Sequence, residues 1–144
     1  MRYKNNSSIN RRIKNVLSEH IKGCFYCGDE SNKEVCLDHF IPKSKGGSDH
    51  ISNLMNCCRS CNSSKSNKTL DQFRASTMCK KSRFSGVVTG AQILALEKLG
   101  VYIPTPGHLF HFEVVGYVPL ETLSGFGGDQ WITSLMFRKP LRLA

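Results

Sequence analysis

The sequence predicts an α+β domain in which a metal ion joins a β-hairpin to a helix. Apolar residues recur at three- and four-residue steps over residues 8–22, which is typical of an amphipathic helix. Residues 35–41 are rich in β-forming side chains, and residues 51–55 are expected to form a second short strand after a loop rich in lysine and glycine, which predicts a hairpin. Two Cys-x-x-Cys pairs lie on either side of that hairpin, and such pairs are typical of four-thiolate metal sites. The four cysteines are Cys24, Cys27, Cys58 and Cys61.

The positive charge of the chain is concentrated in its first half. The 144 residues carry a formal net charge of +9, of which +7 belongs to residues 1–80. A basic half favours an acidic polymer as partner, and nucleic acid is the usual one. The alternative is a basic surface that serves only solubility.

The expected location is the cytoplasm of a bacterial or phage-infected cell. No run of about 18 apolar residues occurs, so no membrane span is predicted. Residues 1–15 lack the apolar centre of a secretory signal. In a reducing compartment, cysteines are more often metal ligands than disulfide partners, and an odd total of seven agrees with this.

The rest of the chain predicts further elements in a less specific way. A helix is expected to begin near Asn62 and to fade near Met78. A second amphipathic helix is expected over residues 89–99, with Thr89 as its cap and Gly100 after its end. Strands are expected at residues 109–118 and 131–143, on either side of a loop at residues 125–128.

The four paired cysteines predict a structural zinc ion. A zinc ion bound by all four would fix the hairpin to the start of the following helix, and its binding energy would become folding energy. Cys57 is an alternative to Cys58, but the Cys-x-x-Cys spacing favours Cys58. The remaining thiols, Cys36 and Cys79, are expected to be buried as small apolar residues.

Three polar residues predict a hydrolytic site beside this zinc. Asp38 and His39 are adjacent on a strand, so their side chains point to opposite faces. We therefore expect Asp38 to bind a metal ion and His39 to act as a general base. Asn62 follows the second cysteine pair at a helix start and offers an amide oxygen. A carboxylate and an amide oxygen, completed by water, suit Mg²⁺ or Mn²⁺.

Basic residues around this site are candidates for DNA binding. Lys43 and Lys45 lie in the hairpin loop beside two glycines, where a phosphate backbone can approach closely. Arg59 and Lys65 belong to the helix that follows the second cysteine pair. For each of them, an ordinary solvated surface position is the alternative.

The combined motif resembles the HNH endonucleases. The segment reads D-H-F-I-P-K-S-K-G-G, then five residues, N-L, three residues, and C-x-x-C-N-x-x-K, with a Cys-x-x-Cys pair before it. Order, spacing and residue types agree over about residues 24–68. The resemblance implies a ββα-metal fold with a structural zinc site. It also implies that DNA phosphodiester bonds are hydrolysed to a 5′-phosphate and a 3′-hydroxyl.

The resemblance also implies roles for single residues. The general base of the family corresponds to His39, and its metal-binding acid corresponds to Asp38. Asn53 corresponds to the central asparagine that holds the hairpin and the base in position. Asn62 corresponds to the last metal ligand, which is often histidine in the family.

The resulting prediction is an HNH nuclease domain at residues 1–79, including the first helix, and an accessory region of unknown role at residues 80–144. The expected partner is DNA, and a homodimer is left open. Two alternative functions remain. One is a zinc-ribbon module that binds nucleic acid without catalysis. The other is a thiol-disulfide oxidoreductase, which needs a single exposed Cys-x-x-Cys pair rather than two matched ones.

Overall fold

The computed structural model describes residues 7–31 and 34–117. These residues form five helices and one antiparallel hairpin, which confirms the predicted α+β class. The elements are α1 (Ser7–His20), β1 (Val35–His39), β2 (Leu54–Cys58), α2 (Arg59–Lys65), α3 (Leu70–Lys81), α4 (Gly90–Lys98) and α5 (His111–Val114). In this described part, no helix is long and apolar enough to cross a lipid bilayer.

The second strand of the hairpin begins later than the sequence predicts. β1 and β2 pair with Val35 opposite Cys58 and His39 opposite Leu54. The predicted strand at residues 51–55 is therefore only partly correct, because Ile51–Asn53 forms a single 3-10 turn. His50 caps this turn through its Nδ1 atom, which accepts a hydrogen bond from the Ser52 amide. β2 ends at Cys58, which caps the N-terminus of α2.

The helix predicted from Asn62 to Met78 is two helices. α2 stops at Lys65, and the next residue, Ser66, has a φ of 50° that is incompatible with continuing the helix. α3 then starts with a capping box, in which the Thr69 side chain accepts from the Gln72 amide and the Gln72 side chain accepts from the Thr69 amide. The Thr-x-x-Gln spacing that makes this box is visible in the sequence.

The two amphipathic helices are confirmed, whereas the strand predicted at residues 109–118 is wrong. α1 ends at His20 rather than at residue 22, α4 spans Gly90–Lys98 within the predicted residues 89–99, and Thr89 caps α4. At the predicted strand, Glu113 instead accepts a hydrogen bond from the Phe110 amide at 2.8 Å, and this contact starts the short helix α5. The loop and strand predicted at residues 125–143 lie outside the described residues.

An aromatic core connects the hairpin to distant parts of the chain. Phe25 stacks on Phe112 with ring centroids 4.4 Å apart, and Phe73 stacks on Phe110 at 5.0 Å. Both Phe110 and Phe112 are 1% exposed. Phe110 and Phe112 lie beyond the predicted domain boundary between residues 79 and 80, yet they belong to the same core as the hairpin. The boundary itself stays a prediction.

Candidate metal centre and active site

The four paired cysteines come together at one end of the hairpin. Their Sγ atoms all lie within 4.8 Å of one another, and the Sγ atoms of Cys27 and Cys58 are 3.8 Å apart. A tetrahedral zinc ion with Zn–S bonds of about 2.3 Å places its sulfur ligands about 3.8 Å apart. The quartet therefore fits a structural zinc ion. Cys57, the alternative to Cys58, lies outside this group.

Backbone hydrogen bonds hold the first cysteine pair against the hairpin. The Gly28 amide donates to the Cys24 carbonyl at 2.8 Å, which closes the tight turn between the two thiols. Gly28 has a φ of +77°, a conformation that favours glycine. The Phe25 amide donates to the Asn56 carbonyl of β2 at 2.8 Å. The turn that carries Cys24 and Cys27 is thus fixed to β2, the strand that ends at Cys58.

The thiols of the quartet interact strongly with one another. A hydrogen bond from the Cys61 thiol lowers the pKa of Cys24 to about 4, and the same bond raises the pKa of Cys61. Burial raises the pKa of Cys27 to about 11. One thiolate is therefore favoured before any metal ion binds, and zinc would replace the remaining protons.

One carboxylate oxygen of Asp38 contacts two polar side chains. The Tyr26 hydroxyl donates to its Oδ2 atom at 2.7 Å, and the Lys65 ammonium lies 2.8 Å from the same oxygen. Burial, followed by the charge of Asp38, raises the pKa of Tyr26 well above its usual value, so the hydroxyl keeps its proton and donates it. Among the described residues, neither contact involves the second carboxylate oxygen, Oδ1.

Lys65 is fully buried in this contact. Its Nζ atom also donates to the backbone carbonyl of His39 at 2.7 Å. This burial contradicts the prediction that Lys65 contacts a DNA phosphate, because the ammonium has no exposed surface. Instead, one ammonium from α2 holds two successive residues of β1. The Asn-x-x-Lys spacing indicates the helix face of Lys65 but not its depth.

His39 faces the opposite side of β1 and contacts the hairpin loop. Its side chain is 22% exposed, and its Nε2 atom lies 2.8 Å from Oδ1 of Asp49. The other oxygen of Asp49 lies 2.6 Å from the Lys43 ammonium. Hydrogen bonds from Lys43 and then from His39 lower the pKa of Asp49. Asp49 is not among the site residues predicted above; its only signal in the sequence is that it is a single acidic residue in a basic loop.

The comparison with known families agrees with this geometry. Residues 24–81 match the sequence model of the HNH endonuclease family, and the match covers both cysteine pairs, the hairpin, α2 and α3. Residues 24–81, here called the HNH domain, are similar to this family. No curated protein and no solved structure shows significant similarity to the chain.

Asn53 joins the two ends of the loop in the HNH domain. It is fully buried; its Oδ1 atom accepts from the Ile41 amide, and its Nδ2 atom donates to the carbonyls of Ile41 and Ser48, all within 3.0 Å. Gly47 is packed against the same place, since a Cβ atom there would lie 1.8 Å from the Ile41 carbonyl oxygen. Asn53 thus fixes the loop that carries Asp49; its role in positioning the base stays a prediction.

The remaining candidates lie around the HNH domain surface. Asn62 is half-buried on α2, one helical turn before Lys65. Lys43 and Lys45 are exposed in the 3-10 turn that follows β1. Arg59 is exposed at the start of α2, with its Nη1 atom 3.4 Å from Glu34. The structure therefore leaves three of the four predicted DNA contacts at the surface.

Removing the buried ammonium should destabilise the domain. Lys65→Ala leaves the carboxylate of Asp38 buried without its charged partner, and breaking such a pair typically costs about 3–5 kcal/mol in the free energy of unfolding. Urea denaturation followed by circular dichroism measures this cost. The matched control is Lys80→Ala, an exposed position on α3 where a change within about 0.5 kcal/mol is expected. Equal stabilities of the two variants would refute the structural role of Lys65.

Proposed function

We propose that the protein is a metal-dependent endonuclease that hydrolyses DNA phosphodiester bonds in the cytoplasm. The observation that carries the proposal is the position of His39. Within an HNH domain, its imidazole is partly exposed at the end of β1 and is held by a carboxylate from a basic loop. A general base needs both access to water and a fixed orientation, and this arrangement supports both.

In the proposed reaction, His39 takes a proton from the water that attacks the phosphorus atom. Asp38 and Asn62 would hold a Mg²⁺ or Mn²⁺ ion. Their oxygen atoms are hard ligands, and Oδ1 of Asp38 is not used by Tyr26 or Lys65. When bound, such an ion would stabilise the negative charge that develops on the phosphate and on the leaving 3′ oxygen. The products would be a 5′-phosphate and a 3′-hydroxyl.

The zinc ion proposed at the cysteine quartet would have a structural role. Four thiolates close its coordination sphere, so no position is left for water or phosphate. The proposed contacts to DNA are made by Lys43, Lys45 and Arg59, all of which are exposed. Lys43 and Lys45 follow His39 closely in the chain and would bring the phosphate backbone to the base.

A plasmid assay tests the proposed activity. Purified protein with zinc bound is incubated with supercoiled plasmid and Mg²⁺, and conversion to nicked or linear DNA is followed. DNA binding without cleavage, under all divalent cations tested, would instead support the second candidate, a zinc-containing nucleic-acid-binding module. The ion pair between Lys65 and Asp38 favours that candidate, because it already neutralises the proposed metal ligand.

DNA binding is expected to depend steeply on salt. If about five phosphates are contacted, a plot of log affinity against log salt concentration should have a slope near −4 to −5. Lys45→Ala should reduce that slope by about one unit, because one counterion fewer is released on binding. Fluorescence anisotropy with labelled duplex DNA measures both slopes. Lys98→Ala, at an exposed position at the end of α4, serves as the control. An equal change of the slope in this variant would contradict the proposed DNA contact of Lys45.

A further inference from the structure

A neutral imidazole can act as a base through only one of its two nitrogens. The other nitrogen carries a proton, and its hydrogen-bond partner decides which nitrogen that is. In this structure, Nε2 of His39 lies 2.8 Å from Oδ1 of Asp49. An ionised carboxylate can only accept hydrogen bonds, so Nε2 must be the nitrogen that carries the proton. Nδ1 then has the free electron pair.

Asp49 is itself held in a defined place. Its second oxygen lies 2.6 Å from the ammonium of Lys43, so each oxygen has its own partner. The pKa of Asp49 lies below its ordinary value, because Lys43 and then His39 donate to it, and the group therefore stays ionised at neutral pH. The neighbouring Ser48 carbonyl is fixed by the buried side chain of Asn53. The loop thus presents a charged acceptor to His39 from a supported backbone.

We propose that Asp49 is a positioning residue that fixes His39 in the tautomer protonated at Nε2, so that Nδ1 accepts the proton of the attacking water. Asp49 does not touch the substrate in this scheme; it acts through His39. The role in cleavage rests on the proposed function, whereas the tautomer is a property of the protein alone.

A simpler interpretation is an exposed ion pair without further consequence. Asp49 is 44% exposed, and surface pairs of this kind often contribute little to stability. The two interpretations differ in what they predict. A passive pair predicts no effect of Asp49 on the protonation site of His39, and the loss of a negative charge beside Lys43 would then only tighten DNA binding.

Nuclear magnetic resonance of the zinc-loaded full chain distinguishes them. Spectra are recorded at mildly alkaline pH. We expect a proton bound to Nε2 of His39, protected from exchange with water, in the wild type. In Asp49→Ala this proton should exchange too fast to be seen, while Asp71→Ala, an exposed acid on α3, should leave it unchanged. A proton found on Nδ1 in the wild type, or a protected Nε2 proton in Asp49→Ala, would overturn the proposal.

Cleavage kinetics provide the second readout. Asp49→Ala should lower kcat by at least on the order of 10- to 100-fold, the loss that follows when the hydrogen-bond partner of a metal-bound histidine is removed, without raising KM for DNA. An unchanged kcat with a lower KM would show that Asp49 acts only as a charge near the DNA, and would overturn the proposal. If the wild type does not cleave DNA at all, the proposed function fails, but the resonance experiment still decides the tautomer.

Discussion

Replacing Cys58 with serine is expected to remove zinc from the protein and to unfold most of the hairpin region. The thiol of Cys58 lies 3.8 Å from that of Cys27 and also accepts a hydrogen bond from the Cys61 amide, so it joins both halves of the quartet. Binding of structural zinc contributes on the order of 10 kcal/mol or more in small domains, which is comparable with the entire stability of a typical domain. Zinc content by mass spectrometry and thermal unfolding by circular dichroism measure the loss.

The neighbouring cysteine provides a matched control. Cys57 is fully buried and adjacent in sequence but lies outside the quartet, and burial raises its pKa, so that it remains a thiol. Cys57→Ser should keep one zinc ion per chain and lose only a modest part of its stability. A Cys58→Ser protein with full zinc content and an unchanged melting temperature would show that the ligands have been wrongly assigned.

The second large effect is expected at the proposed base. His39→Ala should slow DNA cleavage by on the order of 10²–10⁴-fold, the usual consequence of losing a general base. Folding should be almost unchanged, because the imidazole is partly exposed and its Nε2 atom contacts a loop residue, Asp49. Zinc content, melting temperature and DNA affinity measured on the same preparation show whether the change is confined to catalysis.

His50→Ala is the control for this experiment. His50 belongs to the same loop, but its Nδ1 atom contacts the Ser52 hydroxyl and caps a 3-10 turn instead of facing Asp49. Its replacement should leave most of the cleavage rate. Equal losses in both variants would indicate that the loop as a whole matters, and that His39 has no special role as a base.

The parts of the site that could be predicted from the sequence are those encoded by short spacing. Two Cys-x-x-Cys pairs indicate four ligands of one ion regardless of the surrounding fold, and alternation along a strand separates Asp38 from His39. The start of β2 is predicted too early because Ile51, Leu54 and Met55 are all apolar and lie close together in the sequence. What decides their conformation is a capping contact from His50 and the buried side chain of Asn53.

Other features depend on contacts between distant parts of the chain and could not be predicted. Lys65 is buried because α2 packs on β1 and because Tyr26, from the first cysteine turn, contributes a second donor to Asp38. The spacing along α2 shows on which face of the helix Lys65 lies, but it cannot show which residues pack against that face. Likewise, the contact between His39 and Asp49 depends on the path of the intervening loop.

The aromatic core also has a consequence for the synthesis of the protein. A ribosome completes both cysteine pairs and the hairpin well before it reaches Phe110 and Phe112. Until those residues are made, the ring of Phe25 lacks the partner on which it stacks at 4.4 Å, and an apolar surface of the growing chain faces water. Such surfaces attract chaperones and promote aggregation. We therefore expect the nascent HNH segment to remain incomplete, and prone to misfolding, until the chain extends well beyond the family match.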